Sequence, residues 1–378
     1  MEKRLFTSIG REISLLGFGF MRLPLQQAGK QDIDYEKAEA MVDLAMSRGV
    51  NYYDTAYLYH DGLSEPFAGR SLSRYPRESY CLATKMPTWD ITSADQVERI
   101  FDEQLKRCRV DYFDFYLLHR VSRVTYDIAL KYDIYGILRR KKEQGLIKHL
   151  GFSFHDAPPV LERVLDNHEW DFGQLQLNYL DWQDLDAARQ YALLAERKLP
   201  VIVMEPIRGG ALADLGDEGN AILRAVNPKP SIASWALRYA ASLPGVLTVL
   251  SGMSNQEQVE DNLATMQAFK PLDETEREAI ERAVNVYRSS SVIPCTGCRY
   301  CMDCPSGVDI PRVFTVYNLY CVKKSRRLFH IYYDYLAESE RAHNCVGCGA
   351  CLERCPQGID IPGRMCEIAD FAAGPKTD

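Results

Sequence analysis

The chain has 378 residues, which is longer than one ordinary compact domain and predicts two domains. Apolar residues make up 46% of the sequence and charged residues 26%, as in a folded globular protein, while the formal net charge of −7 argues against nucleic acid as a partner. The first residues lack a signal-peptide pattern, and no apolar run approaches the roughly 18 residues of a membrane helix. We therefore expect a cytoplasmic protein without a membrane span.

Short β-rich runs alternate with amphipathic helical stretches along most of the sequence. A first helix is predicted from Asp34, as its N-cap, to a stop at Gly49. A later helix is predicted to begin with a capping box made by Ser93 and Gln96. Eight strands are predicted after a short N-terminal hairpin, the first within residues 4–20 and the others at residues 51–55, 80–85, 113–119, 147–153, 173–178, 200–204 and 246–250.

Regular alternation of strand and helix predicts a parallel sheet, because each connection must cross back over the sheet. An open doubly wound sheet and a closed barrel both satisfy this rule. The run from Gly17 to Arg22 lacks the third glycine of the dinucleotide-binding pattern G-x-G-x-x-G. Eight units within about 270 residues therefore favour the α/β fold called a (β/α)8 TIM barrel.

Three consecutive predicted strands end in polar residues: Asp54, Lys85 and His119, with Tyr59 in the loop after Asp54. Each residue alone has a structural explanation, as a solvated lysine, a packed tyrosine or a buried histidine. In a barrel, however, the strand ends share the catalytic rim. A phenol that keeps its proton at neutral pH can act as general acid, and a nearby ammonium would ease that donation. A carboxylate would hold the ammonium, and an imidazole would orient a substrate oxygen.

These residues lie in motifs that resemble the aldo/keto reductase family from about residue 4 to about residue 270. The motifs are GFGFMRLP at 17–24, DTAYLY at 54–59, LATK ending at Lys85 and DFYLLH ending at His119. The resemblance implies a (β/α)8 barrel and a tetrad of Asp54, Tyr59, Lys85 and His119, with Tyr59 as the proton donor. It also implies a small-molecule carbonyl or alcohol substrate, and NAD(P)H bound extended across the rim.

The cofactor contacts implied by the resemblance include two departures from the family pattern near the nicotinamide. Phe154 stands where an asparagine is usual, and Met204 stands where an aromatic ring often stacks. The glycine-rich run at 207–212 resembles the pyrophosphate loop. Gly252 and Gln258 replace the lysine and arginine that read a 2′-phosphate, so both NADP and NAD remain open. The implied contact residues are Gly19, Met21, Ser153, Gln174, Met204, Pro206, Ile207, Gly209, Gly252, Ser254, Gln258, Asp261 and Asn262.

Ten of the twelve cysteines lie between Cys295 and Cys366, a clustering that favours metal binding over disulfides. Eight of the ten form two similar units, C-x2-C-x2-C-x2-C-P at 295–305 and C-x2-C-x2-C-x3-C-P at 345–356, and Cys321 and Cys366 lie outside them. Each unit continues into a similar D-I-P segment, which indicates an internal duplication. This spacing favours [4Fe–4S] clusters over zinc, which usually takes two separated C-x2-C pairs.

The cysteine units resemble those of bacterial two-cluster ferredoxins, which implies two [4Fe–4S] clusters with crossed ligands. One cluster would use Cys295, Cys298, Cys301 and Cys355, and the other Cys345, Cys348, Cys351 and Cys304. The aromatic-rich runs at 313–320 and 329–335 between the units look helical. We therefore predict a barrel domain at 1–280 and a smaller, mainly helical, ferredoxin-like iron–sulfur domain at 281–378.

The leading interpretation is an oxidoreductase whose clusters relay electrons or hold structure, with a redox protein as a candidate partner. A ferredoxin-linked oxidoreductase with a protein donor is an alternative, as is a non-catalytic redox sensor or assembly subunit. The basic run Lys323, Lys324, Arg326 and Arg327 could dock an acidic carrier, end a helix in solvent or balance cluster charge. The sequence does not define the substrate, because specificity in this fold lies in loops.

Overall fold

The computed structural model describes residues 1–6, 10–27 and 31–376, which pack as two compact units. The first, here called the barrel unit, consists of Met1–Pro206 and Ala236–Leu272. The second, here called the cysteine unit, consists of Ile207–Trp235 and Asp273–Asp378. A segment that precedes the last barrel strand in the sequence therefore packs with the cysteine-rich part. The predicted boundary near residue 280 stays a prediction.

Eight parallel strands form a closed barrel, as the sequence predicts. The strand after each connection pairs with the strand before it, and the last strand closes against the first. Most of these strands are buried along their whole length, as expected for a parallel sheet covered by helices. The strands are β3 (Leu16–Gly19), β4 (Tyr52–Asp54), β5 (Cys81–Met86), β6 (Phe113–Val121), β7 (Ile147–Phe154), β8 (Phe172–Gln176), β9 (Val201–Met204) and β10 (Val246–Gly252).

A two-stranded antiparallel hairpin of β1 (Lys3–Phe6) and β2 (Arg11–Ser14) precedes the barrel. The connection between these strands, at residues 7–9, lies outside the described residues. Phe6 and Ile13 of the hairpin are buried in a cluster with residues near the starts of strands, such as Tyr52 and Phe172. This cluster fills the amino end of the barrel and leaves polar side chains to the carboxyl end.

Helices follow the barrel strands, and their boundaries come from local capping in several cases. Asp34 caps the first helix by accepting a hydrogen bond from the Lys37 N–H, as predicted. In chain order, the helices between β3 and Leu272 are α1 (Tyr35–Ser47), α2 (Ser64–Leu72), α3 (Ala94–Cys108), α4 (Arg123–Lys131), α5 (Ile134–Glu143), α6 (Pro158–Asn167), α7 (Asp181–Asp184), α8 (Ala187–Glu196), α9 (Gly216–Val226), α10 (Ile232–Ala241) and α11 (Gln256–Gln267). Of these, α9 belongs to the cysteine unit and α10 is divided between the two units.

The capping box predicted for α3 is wrong. Ser93 is extended and makes no side-chain cap. The Gln96 side chain instead accepts hydrogen bonds from the Thr92 N–H at 2.8 Å and the Thr92 hydroxyl at 3.0 Å. The glutamine thus reaches one residue further back than the capping-box pattern requires.

The cysteine unit is mainly helical, as predicted. Its C-terminal helices are α12 (Glu274–Ser289), α13 (Ile310–Lys323), α14 (Arg326–Tyr333) and α15 (Ile361–Ala373). Its core is made by buried apolar side chains together with Cys301, and five further cysteines are partly buried against it. The main core side chains are Ile310, Val313, Phe314, Phe329, Met365 and Ile368.

The duplication seen in the sequence extends to the backbone. Asp309 and Asp360 occupy matching positions and cap α13 and α15 through their side chains. Both repeats also use left-handed residues at matching positions within and after the cysteine runs. The matching pairs, with φ in degrees, are Gly297 (63) and Gly347 (67), Arg299 (66) and Gly349 (76), and Gly307 (73) and Gly358 (62).

Within the described ranges, no helix is both long enough and apolar enough to cross a membrane.

Candidate functional site

A cluster of four polar side chains lies at the carboxyl end of three neighbouring strands. Asp54 is the last residue of β4, Lys85 lies near the end of β5 and His119 near the end of β6. Tyr59 begins a short 3-10 turn after β4. The register places Asp54 opposite Ala83 and Lys85 opposite Leu117, so each polar residue stands two positions further along than its neighbour. This stagger brings the four groups to one rim.

Distances within the cluster are short. The Lys85 ammonium donates to Asp54 Oδ1 at 2.6 Å and to the Thr55 carbonyl at 2.7 Å. Its Nζ lies 5.0 Å from the centroid of the Tyr59 ring. The Tyr59 and His119 rings meet edge to face, with centroids 5.9 Å apart. The rim therefore holds a phenol between an ammonium and an imidazole.

Burial controls the charges of this cluster. Lys85, Asp54 and His119 are almost completely buried, whereas Tyr59 is partly exposed. Burial lowers the pKa of Lys85 and raises the pKa of Asp54, and the charge of each partner opposes the shift of the other. Burial also holds the pKa of His119 well below its usual value, with further lowering from the Lys85 ammonium. His119 is therefore a neutral imidazole at neutral pH.

A second layer of polar groups behind Lys85 was not predicted from the sequence. The carboxylate of Glu65 accepts from the hydroxyl of Thr84 and from the amide of Gln104, each at 2.6 Å. The same Gln104 amide lies 3.0 Å from the Lys85 carbonyl oxygen. Glu65 also acts on Lys85 through space and raises its pKa against the effect of burial. A glutamate in an amphipathic helix gives no sequence signal for such a role.

Two predicted cofactor residues lie side by side on adjacent barrel strands. Ser153 of β7 is directly opposite Gln174 of β8, and both are buried. The Ser153 hydroxyl accepts from the Arg120 N–H at 2.9 Å, and the Gln174 amide nitrogen lies 3.4 Å from the sulfur of Met204. Among the described residues, Gln174 Oε1 has no hydrogen-bond partner. A buried acceptor of this kind fits the carboxamide N–H of a nicotinamide.

The ends of the first and last barrel strands bring four other predicted contacts together. Gly19 and Gly252 are paired across β3 and β10, and Met21 lies in the turn that follows β3. A Cβ atom on Gly252 would lie 2.7 Å from Arg22 Cγ, so Arg22 packs directly over this glycine. Ser254 donates to the Arg22 carbonyl at 2.8 Å. Arg22 was not among the predicted contact residues, because nothing in the sequence shows which strand end it faces.

The remaining predicted adenosine contacts are engaged within the protein. Gln258 accepts from the Ser254 N–H at 2.8 Å, and its own N–H donates to the Asn255 side chain that caps α11. Asn262 is buried and donates to the Ser251 hydroxyl at 2.9 Å. Asp261 precedes it on α11 and is partly exposed.

The predicted contacts Ile207 and Gly209 belong to the cysteine unit, whereas Pro206 is the last residue of the first barrel-unit segment. Residues 207–213 are here called the glycine loop. Arg208, Gly209 and Gly210 all have positive φ, at 47°, 64° and 100°. Glycines in such a turn let backbone N–H groups approach an anion closely. The Gly210 N–H itself donates to the Ile207 carbonyl at 3.0 Å.

The eight predicted cluster cysteines are grouped around two pockets. One pocket is lined by Cys295, Cys298, Cys301 and Cys355. The other is lined by Cys304, Cys345, Cys348 and Cys351. Each pocket thus brings together three cysteines of one repeat and the fourth cysteine of the other. Ile310 and Ile361, which begin α13 and α15, line both pockets.

Four cysteines lie away from these pockets. Cys81 and Cys108 are buried in the barrel unit. Cys321 is buried on α13, and Cys366 is exposed on α15.

Side chains of the basic run at the end of α13 form contacts within the chain. Lys323 forms ion pairs with Asp214 at 3.2 Å and Asp217 at 3.0 Å. Arg326 donates to the Phe371 carbonyl and stacks over the Phe371 ring, with its guanidinium carbon 3.9 Å from the centroid. Two of the four basic side chains therefore support the fold, which weakens the interpretation of this run as a docking surface.

Comparison with protein families identifies the chain. Residues 15–285 match the model of the aldo/keto reductase family, and residues 294–359 match the model of a 4Fe-4S dicluster domain. The barrel is thus that of a TIM-barrel oxidoreductase. The chain belongs to the aldo/keto reductase family, and its C-terminal part is of the ferredoxin-like 4Fe–4S type.

Individual relatives support this assignment. L-galactose dehydrogenase from Arabidopsis thaliana is 26% identical over 292 residues, which cover 72% of this chain and 90% of the relative. NADH-specific methylglyoxal reductase from Escherichia coli strain K12 is 23% identical over 300 residues, covering 67% and 90%. An aldo-keto reductase from Bacillus halodurans, solved in its holo form, matches the fold with a TM-score of 0.63 at 27% identity, covering 75% of this chain and 96% of that one.

Proposed function

We propose that the barrel transfers hydride between NAD(P)H and a small carbonyl or alcohol, with Tyr59 as the general acid. The observation that carries this proposal is the rim cluster, in which Tyr59 lies beside both the Lys85 ammonium and the His119 ring. Bound NAD(P)H supplies the hydride, and the protein supplies the proton and the orientation. Each of the four side chains of the rim cluster has a separate role in proton donation or in orienting the substrate.

Tyr59 gives its proton to the carbonyl oxygen as the hydride reaches carbon. The Lys85 ammonium then stabilises the phenolate, because an opposite charge nearby favours the ionised form. Asp54 keeps Lys85 charged against the effect of burial, through the 2.6 Å ion pair. Removal of Asp54 would therefore weaken the acid indirectly.

His119 donates a hydrogen bond to the substrate oxygen as a neutral imidazole. Its ring lies 5.0 Å from the Trp89 ring, and the Arg120 guanidinium lies 5.6 Å from the same Trp89 ring. Trp89 and Arg120 are therefore the side chains that we place around the substrate. The substrate class beyond carbonyl or alcohol stays open.

The nicotinamide carboxamide is assigned to Ser153 and Gln174, on the strength of the buried Gln174 acceptor. We assign the phosphates to the glycine loop, through Ile207 and Gly209. The remaining assigned contacts are Gly19, Met21, Met204, Pro206, Gly252, Ser254, Gln258, Asp261 and Asn262.

NADH is the cofactor form that we expect to bind more tightly. Gly252 and Gln258 carry no charge for a 2′-phosphate, and a lysine at position 252 would require Arg22 to move. One relative is named as an NADH-specific methylglyoxal reductase, which agrees with this assignment. Binding and turnover with NADPH are measured beside those with NADH in every assay.

The cysteine unit is proposed to hold two [4Fe–4S] clusters with crossed ligands. The two four-cysteine pockets support this assignment, because each has the number of thiolates that one such cluster requires. Hydride transfer at Tyr59 uses neither cluster, so their role is separate from the proton chemistry. A redox protein stays a candidate partner for them.

The proposal is tested by comparing Tyr59→Phe with Tyr57→Phe in anaerobically purified protein. Nucleotide oxidation is followed with methylglyoxal and other short aldehydes, and nucleotide binding by fluorescence. Tyr59→Phe should lower kcat about 10²- to 10⁴-fold, the usual contribution of a general acid, without loss of binding. Tyr57 donates to Glu103 at 2.9 Å, away from the rim cluster, and its variant should stay within a few fold. Undiminished turnover in Tyr59→Phe would overturn the assignment.

A further inference from the structure

The glycine loop is packed against the backbone of the first cysteine loop, residues 295–304. A Cβ atom on Gly209 would overlap the Thr296 carbonyl oxygen and lie only 2.6 Å from its carbon. Thr296 stands between Cys295 and Cys298 and is 3% exposed. The loop assigned to the cofactor phosphates and a loop assigned to cluster ligands therefore touch through main-chain atoms, with no side chain between them.

Residues that follow the glycine loop are also fixed to the cysteine-rich part of the same unit. A Cβ atom on Gly216 would lie 3.0 Å from the Val322 side chain of α13. Lys323 of α13 bonds Asp214 and Asp217, and Asp214 also accepts from Asn220 at 2.7 Å. The glycine loop is therefore held at two points, by the first cysteine loop and by α13.

The first cysteine loop is itself tied to α13. Asn318 of α13 donates to the Ile293 carbonyl and accepts from the Ile293 N–H, each at 2.7 Å. Arg299 approaches the Asp309 carboxylate that caps α13, at 3.6 Å. A change in the geometry of the four cysteines around the first pocket would thus be passed to Thr296 and to Gly209.

The second cysteine loop, residues 345–355, offers an internal comparison. Val346 occupies the position that Thr296 has in the first repeat, and it is 71% exposed. Cys348, which matches Cys298, is exposed as well. The two cysteine loops are similar in sequence and backbone, but they differ in exposure at this position. In the part of the chain that the structure describes, the glycine loop covers the first cysteine loop and not the second.

We infer that the cluster held by Cys295, Cys298, Cys301 and Cys355 sets the affinity of the protein for NAD(P)H. This inference rests on the proposed function, from which both the cluster and the nucleotide contacts are taken. An intact cluster keeps Thr296 in place, and Thr296 keeps the glycine loop in the conformation that receives the phosphates. The cluster at Cys304, Cys345, Cys348 and Cys351 takes one ligand, Cys304, from the far end of the first cysteine loop and three from the second loop, where the position matching Thr296 is the exposed Val346.

Coupling of this kind is reciprocal, so bound nucleotide must also change the properties of the first cluster. Nucleotide should alter the electron paramagnetic resonance signal or the reduction potential of one cluster and leave the other unchanged.

The first experiment compares Cys298→Ser with Cys348→Ser, two matching positions in the repeats. Iron and sulfide analysis verifies that each variant has lost one cluster, and fluorescence titration gives the Kd for NADH and NADPH. Cys298→Ser should weaken binding by roughly ten-fold, within the usual range of coupling between sites. Cys348→Ser should stay within about two-fold of the wild type. Equal Kd values for the two variants would overturn the inference.

A second pair of variants leaves every cysteine in place. Gly209→Ala and Gly210→Ala both put a methyl group on a residue with positive φ, so both carry backbone strain. Of these two methyl groups, the one at position 209 would meet the Thr296 backbone, whereas the one at position 210 would have nothing within 4 Å. Gly209→Ala should therefore change the paramagnetic spectrum of the reduced protein, and Gly210→Ala should not. If Cys298→Ser does not fold, the comparison of Gly209→Ala with Gly210→Ala tests the coupling between the glycine loop and the first cluster.

Titration of the wild type with nucleotide distinguishes a failure of the proposed function from a failure of the coupling alone. If wild-type protein with its full iron content binds neither nucleotide, the proposed function fails and the inference fails with it. If the wild type binds and both variant pairs behave alike, the proposed function stands and only the coupling is wrong.

Discussion

Lys85 is positioned by a network of buried polar groups as well as by its ion pair with Asp54. The backbone of Lys85 is held by Gln104, and the Gln104 amide in turn bonds the Glu65 carboxylate. The Glu65 carboxylate raises the pKa of Lys85 and so offsets part of the cost of burying that charge. The network explains how a lysine with no exposed surface can sit at a reactive rim.

His149 carries a pH dependence that is separate from catalysis. It lies near the start of β7 at the amino end of the barrel, where its ring contacts Phe6 and Phe115 at centroid distances of 4.8 and 5.2 Å. Burial lowers the pKa of His149 from 6.5 to about 4. Between these values the unfolded chain binds a proton that the folded chain does not bind. The contribution to stability is therefore complete above pH 6.5 and is lost as the pH falls toward 4.

We expect His149→Phe to remove part of this dependence. The free energy of unfolding should fall between pH 7 and pH 5 by about 2 kcal/mol less in the variant than in the wild type. Urea titrations are followed by tryptophan fluorescence, because Trp89, Trp170 and Trp182 belong to the barrel unit that contains His149. His343→Gln, at an exposed histidine, is the control and should retain most of the fall. An identical pH dependence in His149→Phe and the wild type would refute the assignment.

At the residue scale, the sequence predicted the positions of side chains that stand at the ends of barrel strands. Asp54, Lys85 and His119 each close an apolar run, so their meeting at one rim follows from the parallel barrel. Arg22 and Thr296 could not be found in this way. Each matters because it packs against a glycine distant in sequence, and a glycine does not indicate what approaches it.

Among the secondary-structure elements, the strands were predicted well because buried parallel strands are continuous apolar runs. The start of α3 was predicted less well. Ser93 and Gln96 fit the capping-box spacing, but Thr92 offers the glutamine both an N–H and a hydroxyl, and these contacts replaced the box. Local spacing alone does not decide between two neighbouring partners.

The aspartates that cap α13 and α15 differ in burial, so their removal should destabilise the protein by different amounts. Asp309 is 2% exposed, accepts from the Arg312 N–H and faces Arg299, whereas Asp360 is exposed and caps α15 through the Gly363 N–H. Asp360→Ala should lower the free energy of unfolding by about 1 kcal/mol, the usual cost of losing an N-cap. Asp309→Ala should cost about 2 to 3 kcal/mol, because it also removes the buried carboxylate that pairs with the Arg299 guanidinium.

The measurement is urea denaturation of the anaerobic protein, with loss of cluster absorbance as the signal for the cysteine unit. The two variants remove the same group from matching positions, so each is the control for the other. Equal losses, or a larger loss in Asp360→Ala, would contradict this account of the two caps.

For the whole molecule, the crossed grouping of the eight cysteines was expected from the resemblance to bacterial two-cluster ferredoxins, and the same two sets of cysteines line the two pockets. The membership of residues 207–235 was not predicted. Strand and helix periodicity places this segment between β9 and β10, in line with the barrel pattern. Its packing with α12 and α13 depends on contacts such as Lys323 with Asp214, which only the tertiary structure reveals.

The central claim is that hydride passes directly from the nucleotide to a carbonyl carbon at the Tyr59 rim. The most direct measurement uses NADH or NADPH deuterated at the transferring position, a short aldehyde and mass spectrometry of the alcohol formed. We predict one deuterium on the former carbonyl carbon of each product molecule, and almost no product with Tyr59→Phe. Product without deuterium, or deuterium released to water, would contradict direct hydride transfer and with it the role assigned to this site.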